Sequence, residues 1–327
     1  MQDWSIAGTR NTKNFLQLGV DILKSGGSAL DAVETVIKEV ELDPSDWTVG
    51  FNGFPNLLGE IELDASIMVG SSKRTGAVAG VKGYLHPISI ARSVMELSPH
   101  VLLVGEGAER FARAAGFQRV QLLAQPFMRD IYQKFLTNGN FLEVTGLPIE
   151  MRDSARHFDD IVKEKLAQFD YRAWYERILP AYHGTVDVIA LDQIDELCSG
   201  ISTSGLALKF PGRVGDSPII GAGNFADSRY GAATCVGNGE LAIRLSMASN
   251  AVFNLKRNTD PKNAASEAVK DLLELDEVGV IQILVMNAKG EVAAACNMEG
   301  HYYFSSSLNP VVQKMETIVI ELDKTQH

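Results

Sequence analysis

Cysteine is scarce in this 327-residue chain: Cys198, Cys235 and Cys296 are the three present, too few and too irregularly spaced for a disulfide framework or a zinc site. Each is expected to behave as a small buried hydrophobe. No run of about 18 apolar residues occurs, so no segment reads as a spanning helix. The opening MQDWSIAGTRNTKNF lacks a basic region followed by an apolar one. A cytoplasmic protein is therefore expected, although an exported protein stripped of its leader would look the same. Positive charge is also in short supply: 30 Lys and Arg stand against 41 Asp and Glu, a formal net charge of −11. Nucleic acid and anionic membrane surfaces are not expected as partners, since both need a basic patch. There is no low-complexity tract and no internal repeat at solenoid spacing.

What the chain does have is apolar content, 46% of its residues, enough to bury a large core in one or two domains. Asn14 to Lys24 carries apolar residues at helical spacing and stops at Gly26-Gly27. Ser28 then caps a second helix to about Leu42, with Asp31 three residues on as the acidic capping partner. Ile61 to Met68 and Ala77 to Val81 read as strands, His86 to Leu97 as a helix and Val101 to Val104 as a buried strand. From Gln125 to Tyr182 charged and aromatic residues mix at helical spacing, which reads as a helical or partly mobile segment. Strands return at Val186 to Leu191, Cys198 to Thr203, Gly231 to Val236, Val280 to Met286, Val292 to Cys296 and Thr317 to Leu322. Helices at Glu240 to Lys256 and Pro261 to Leu275 interrupt them. The chain reads as a layered α and β protein.

Near the middle, His183-Gly184-Thr185-Val186 opens the strand VDVIALD. It is followed by Ser202-Thr203-Ser204-Gly205, by Gly212-Arg213-Val214-Gly215-Asp216-Ser217-Pro218-Ile219-Ile220-Gly221-Ala222-Gly223, and by Gly237-Asn238-Gly239-Glu240. A threonine hydroxyl is a weak nucleophile without a base beside it, and cutting the Gly184–Thr185 bond would free an α-amine in the same residue. Such an amine, with a pKa near ~8, accepts a proton readily at neutral pH. In order and spacing these pieces resemble the N-terminal-nucleophile asparaginase family of glycosylasparaginases and isoaspartyl peptidase/L-asparaginases, over nearly the whole chain. Ser25-Gly26-Gly27-Ser28-Ala29-Leu30-Asp31-Ala32-Val33-Glu34 is similar to the family's first helix pair. Val49-Gly50-Phe51-Asn52-Gly53, Leu58-Gly59-Glu60 and Leu63-Asp64-Ala65-Ser66-Ile67-Met68 look more like its glycosylasparaginase branch.

The resemblance implies an α+β fold, the four-layer αββα sandwich of N-terminal-nucleophile hydrolases. Residues 1–184 would become one subunit after self-cleavage and 185–327 a second that begins with Thr185, the two forming one structural domain. It implies an amidohydrolase that cleaves the side-chain amide of asparagine derivatives, of the N4-(β-N-acetylglucosaminyl)-L-asparaginase type, and releases aspartate through an acyl-Thr185 intermediate. No cofactor or metal is implied, and the expected assembly is a homodimer of αβ units. An isoaspartyl peptidase or plain L-asparaginase is the alternative within the family. A non-catalytic homologue that only binds an amino acid or a protein is the alternative outside it.

Each site residue also has a plainer reading. Gly184 and Thr185 alone could be an ordinary strand start, and Gly184 also suits a strained scissile bond because it has no side chain to clash. Thr203 could be an ordinary strand threonine, while the resemblance makes it a hydroxyl that orients the nucleophile. Arg213 and Asp216 could be a surface ion pair worth less than ~1 kcal/mol. In the family's pattern they clamp the α-carboxylate and α-ammonium of the substrate. Gly237 and Gly239 could merely mark a turn, whereas the resemblance puts an oxyanion-binding backbone N–H at Gly237.

Three positions depart from the family's pattern. Val236 stands where a threonine donor is usual, Asp187 where glycine is usual, and Arg10 where glycosylasparaginases place an aromatic beside the substrate. Arg10 could meet an acidic leaving group or point into solvent. Gly184, in place of the aspartate usual in glycosylasparaginases, makes the cut site resemble the plant-type enzymes. His183 is expected to serve the precursor cut or packing. Glu62 and Asp64 are expected to be solvated or to support a loop, and Trp4 and Trp47 to pack.

Overall fold

The computed structural model describes residues 4–56, 59–122, 184–207, 209–275, 279–308 and 311–322. The segment 125–182 and His183 lie outside them.

Local chemistry accounts for the first helices. In α1 (Leu16–Lys24) the residues Leu16, Val20 and Leu23 share one buried face. Gly19 lies where that helix crosses its neighbours: a Cβ there would sit 2.4 Å from Ile6 Cδ1, so only glycine lets the helix approach so closely. The second helix, α2 (Ala29–Leu42), starts as expected: the Ser28 hydroxyl accepts from the Asp31 backbone N–H and donates to the Asp31 carboxylate at 2.7 Å. Proline opens α3 (Pro87–Leu97), where a missing N–H costs nothing.

The strands are β1 (Ser5–Thr9), β2 (Leu63–Val69), β3 (Thr75–Val81), β4 (Leu102–Val104), β5 (Val186–Leu191), β6 (Leu197–Thr203), β7 (Asn224–Asp227), β8 (Gly231–Gly237), β9 (Ile281–Asn287), β10 (Val292–Cys296), β11 (Tyr302–Ser306), β12 (Gln313–Glu316) and β13 (Ile318–Val319). They form one sheet of eight, ordered β12-β11-β1-β5-β6-β2-β3-β4, and one of five, ordered β13-β10-β9-β8-β7. Helices α1, α2 and α3 pack on the larger sheet in one apolar cluster. A second cluster packs the smaller sheet against α5 (Gly239–Leu245), α6 (Met247–Arg257) and α7 (Pro261–Lys270). The third joins the sheets themselves, with Ala7, Met68, Ile189 and Leu191 from the larger meeting Ala232, Leu284 and Met286 from the smaller.

Several expectations need correcting. The segment expected to be a buried strand at 101–104 is the edge strand β4, with Val101 49% and Val104 56% exposed; it has a partner on one side only, β3. The single helix expected at 240–256 is two, broken at Ser246, whose φ of 49° is left-handed and cannot continue a helix. The helix from Pro261 ends at Lys270 and gives way to a 3-10 turn, Asp271–Glu274. Only Ile318 and Val319 of the segment 317–322 pair as a strand. Sequence patterning missed β1, β7, β11 and β12, and also α4 (Gly105–Ala114). The three cysteines are unpaired and buried, as expected. Among the described residues no helix is long and apolar enough to cross a membrane.

Candidate active site

Thr185 stands one residue before β5, where alternation puts its side chain on the same side as Asp187, Ile189 and Leu191, toward the other sheet. It is 8% exposed at the floor of a cavity of about 480 Å³. Its hydroxyl donates to Thr203 Oγ1 at 3.3 Å. The Thr203 hydroxyl donates to the carbonyl oxygen of Gly184 at 2.8 Å and accepts from the Gly205 N–H at 2.9 Å. Thr203 therefore bridges the Thr185 hydroxyl and the Gly184 carbonyl oxygen. From the other side, the carbonyl of Thr185 accepts from Asn11 Nδ2 at 3.3 Å and from the Thr9 hydroxyl at 3.4 Å.

Gly184 is fixed by packing. A Cβ there would lie 2.4 Å from both Cβ and Oγ1 of Thr48. Thr48 cannot retreat easily, because its hydroxyl and its N–H both donate to Asp46 Oδ1 at 2.7 Å, while its carbonyl accepts from Ser204. Any larger residue at 184 collides with this anchored side chain. Gly184→Ala is thus expected to leave most of the chain uncut, and removing the obstacle with Thr48→Gly in the same chain to recover cutting. The cut and uncut bands of a denaturing gel measure both. Equal cutting in Gly184→Ala and wild type would refute the packing argument.

Arg213 and Asp216 lie elsewhere. Neither lines the cavity that opens on Thr185, nor do Gly237 and Gly239. They are linked to it through Gly205, two residues after Thr203, where a Cβ would lie 3.4 Å from Arg213 Nη1. The surface ion pair expected as the plainer reading needs correction: the two side chains are not at the surface and show no hydrogen bond to each other among the described residues. Arg213 instead engages Glu240 through two parallel hydrogen bonds of 2.9 and 2.7 Å. Asp216 is 5% exposed and its Oδ2 accepts no hydrogen bond. Burial raises its carboxyl to about 7; Arg213 works in the opposite direction, and Glu240 and Asp64 add to the rise. Glycine is required at 239, since a Cβ there would lie 2.7 Å from Asp216 Oδ1.

Glu62 and Asp64 are buried, not solvated, at 5% and 0% exposure. The loop-supporting part of the expectation holds: both Glu62 oxygens accept from the N–H of Gly212 at 3.1 Å and so fix the turn that carries Arg213. Asp187 is a buried carboxyl with no hydrogen bond to either oxygen, a situation that costs on the order of 1–3 kcal/mol or more if the group stays charged. Burial, then the charge of Asp216, push its pKa well above the carboxylate range. Thr234 beside it offsets part of that without reaching full hydrogen-bonding geometry.

Arg10 is exposed, lines the cavity, and has no ion pair or hydrogen bond among the described residues. Trp4 packs in the core, but Trp47 does not: it is 45% exposed on the cavity wall. Sequence reading also missed Asn11, Thr48, Gln282 and His301 as residues around Thr185. The side chain of His301 is held below its ordinary pKa by burial and by the nearby charge of Arg10. Among the described residues no group of His, Cys, Asp and Glu is arranged to hold a metal ion.

Comparison with known proteins brings in independent information. A family model described as "Asparaginase" matches residues 3–313. The N(4)-(β-N-acetylglucosaminyl)-L-asparaginase of Elizabethkingia miricola is 35% identical over 286 residues, covering 85% of this chain and 74% of that one. An isoaspartyl peptidase/L-asparaginase of Mus musculus is 35% identical over 276 residues, 84% of this chain and 74% of its own. A plant-type L-asparaginase of Thermococcus kodakarensis is 35% identical over 280 residues, 85% and 83% of the two chains.

Proposed function

The chain belongs to the asparaginase family, and from that premise we propose that it is an amidohydrolase that cleaves the side-chain amide of asparagine derivatives after cutting itself between Gly184 and Thr185. The observation that carries the proposal is the chain of hydroxyls Thr185–Thr203 ending on the Gly184 carbonyl oxygen. That geometry suits the first reaction directly: the Thr185 hydroxyl attacks the carbonyl carbon of Gly184, whose oxygen Thr203 already polarises. The bond to the Thr185 nitrogen breaks, and water releases Gly184 as a carboxylate. Thr203 then loses its carbonyl partner and is left beside the freed nucleophile.

In the mature enzyme the Thr185 hydroxyl attacks the amide carbon of the substrate side chain, while its own α-amine takes the proton and delivers it to the leaving amine. Water hydrolyses the ester and aspartate departs. Residues 1–184 and 185–327 act as two subunits of one domain, with the backbone N–H of Gly237 facing the oxyanion. Arg213 meets the substrate α-carboxylate once Glu240 yields one face of its guanidinium fork, and ionised Asp216 meets the α-ammonium, both on a turn braced by Glu62. The αββα sandwich is the architecture we assign; it is supported by two helix-to-sheet clusters and one sheet-to-sheet cluster. A homodimer of such αβ units is the assembly we assign, and small asparagine derivatives are the ligands.

Substrate preference follows from the cavity wall. Trp47 provides an exposed aromatic face, and Arg10 a cation without a hydrogen bond or ion pair among the described residues, on the wall of the cavity that we assign to the leaving group. This favours a leaving group with both a flat or apolar part and a hydrogen-bond acceptor, an N-acetylglucosaminylamine or an amino acid, over bare ammonia. Gly184 and the isoaspartyl peptidase relatives keep the β-aspartyl peptide reading open beside the sugar one. Parallel assays on N4-(β-N-acetylglucosaminyl)-L-asparagine, a β-aspartyl dipeptide and L-asparagine decide between them. The larger two are expected to exceed asparagine in kcat/KM by roughly tenfold or more, the effect of about 1.4 kcal/mol of leaving-group contact. Asparagine as the best of the three would refute the role given to Trp47 and Arg10, and turnover of none would refute the amidase.

A further inference from the structure

We propose that the side-chain amide of Gln282 donates a hydrogen bond to the oxyanion formed when Thr185 attacks the substrate carbonyl. The inference rests on the amidase reading above and assigns a second oxyanion donor to that same site.

Strand alternation brings Gln282 there. On β9, Ile281 and Ile283 belong to the cluster under the helices, while Leu284 and Met286 belong to the cluster between the sheets. Gln282 therefore points between the sheets, toward the side from which Thr185 faces it. Its cross-strand partner on β8 is Val236, and Gln282, Val236 and Thr185 line one cavity. An attacked carbonyl held over Thr185 develops negative charge that needs fixed donors close by in a water-poor place. Val236 has none to offer. Asn11 has already committed its amide protons, to Asp46 Oδ2 at 2.9 Å and to the Thr185 carbonyl. Arg10 and Lys13 are exposed. His301 is half-buried beside the exposed Arg10, and burial together with that charge disfavours its protonated form.

Gln282 meets the requirements of the task. It is 4% exposed on a strand whose neighbouring inward residues are apolar, an expensive place for an amide unless something needs it there. One amide proton goes to Thr317 Oγ1 at 2.9 Å, which fixes the rotamer. An amide nitrogen carries two protons, and among the described residues nothing accepts the second.

The test uses the mature enzyme and whichever substrate it turns over best. Gln282→Met keeps volume and removes the donor; kcat should fall about 10²–10³-fold, the usual loss for one oxyanion donor, with KM within a few-fold. Adding Val236→Thr to that variant should restore at least tenfold in kcat, by supplying a hydroxyl from the facing position. Thr317→Val, which removes the anchor but leaves the amide, should lose less than tenfold. Gln282→Glu, which keeps the skeleton should the methionine variant not fold, should lose as much as Gln282→Met. A Gln282→Met or Gln282→Glu enzyme with kcat within threefold of wild type would overturn the inference. So would an equal loss in Thr317→Val without rescue by Val236→Thr, because Gln282 would then be bracing the sheet only. A wild type with no amidase turnover would instead remove the reading on which the inference stands.

Discussion

Replacing Thr185 with alanine is expected to reduce amide hydrolysis at least about 10⁴-fold and to leave the chain in one piece. Removal of a covalent nucleophile elsewhere costs up to ~10⁶ in kcat. Among the described residues no other hydroxyl is placed to take over. Thr203 is the nearest, but its oxygen is tied to the Gly184 carbonyl and the Gly205 N–H. It also lacks an α-amine of its own, since it lies within β6. Serine at 185 keeps both hydroxyl and amine and is expected to retain measurable turnover. The missing methyl frees χ1, which the branched residue restricts, so a loss of roughly tenfold follows from poorer aim. Aspartate release over time measures both. A Thr185→Ala enzyme that still releases aspartate within tenfold of wild type would mean that another group attacks.

Asp216→Asn is expected to separate activity from stability. The asparagine is nearly the same shape but cannot hold the substrate α-ammonium by charge, and losing one partner of a buried charged contact costs about 2–5 kcal/mol. kcat/KM should fall roughly 10²–10³-fold, mostly through KM, because the clamp lies away from Thr185. Stability should move in the opposite direction. Burial raises the Asp216 carboxyl from 3.8 to about 7, so the folded state holds a proton that the unfolded state has already released between those values. For an acid raised in this way the benefit of the bound proton is complete below about pH 4 and is lost as pH climbs through 7. By pH 8 the wild type carries a buried, incompletely paired carboxylate, at a cost on the order of a few kcal/mol. Asparagine carries none. The melting temperature of Asp216→Asn should therefore match wild type near pH 4 and exceed it at pH 8, in the absence of substrate. A variant less stable than wild type at pH 8 would show that Arg213 compensates the charge fully.

With Asp216 in the role proposed for it, the same titration is expected to govern binding in the wild type. Substrate ammonium needs the ionised carboxylate, so affinity for aspartate should weaken as pH falls below about 7, approaching tenfold per pH unit. The site is thus built at some expense to the fold, as sites holding a buried charge ready for a ligand commonly are.

Much of this was legible because chemistry and periodicity coincide in the sequence. The Ser28–Asp31 cap, the run VDVIALD and the Gly184–Thr185 junction each announce themselves through residue type and spacing. Strands without that coincidence stayed hidden. β1 reads Ser-Ile-Ala-Gly-Thr, with little apolar alternation, yet it lies inside the larger sheet between β11 and β5. Its small residues let neighbouring backbones close over it: a Cβ at Gly8 would meet Thr12 at 2.7 Å. β12 is polar and exposed throughout, and only pairing with β11 makes it a strand.

At the site, Thr185, Thr203 and Gly184 are joined by hydrogen bonds. The Arg213–Glu240 pairing could not be read, because two glycines between motif and helix leave the direction of the turn open. Trp47 and Gln282 depend on which way a side chain faces. For Gln282 a signal was present in VIQILVMN, where a single glutamine interrupts an apolar run on an inward position. Cation pairing at Arg10 was a matter of position alone, and the structure puts that guanidinium on the cavity rim.

The central claim is that Thr185 becomes a chain terminus, and the intact mass of the purified protein tests it most directly. The account predicts two species whose masses meet at the Gly184–Thr185 bond, with the second starting at an unmodified threonine. A single uncut chain that nevertheless releases aspartate, or a cut at any other bond, would contradict it.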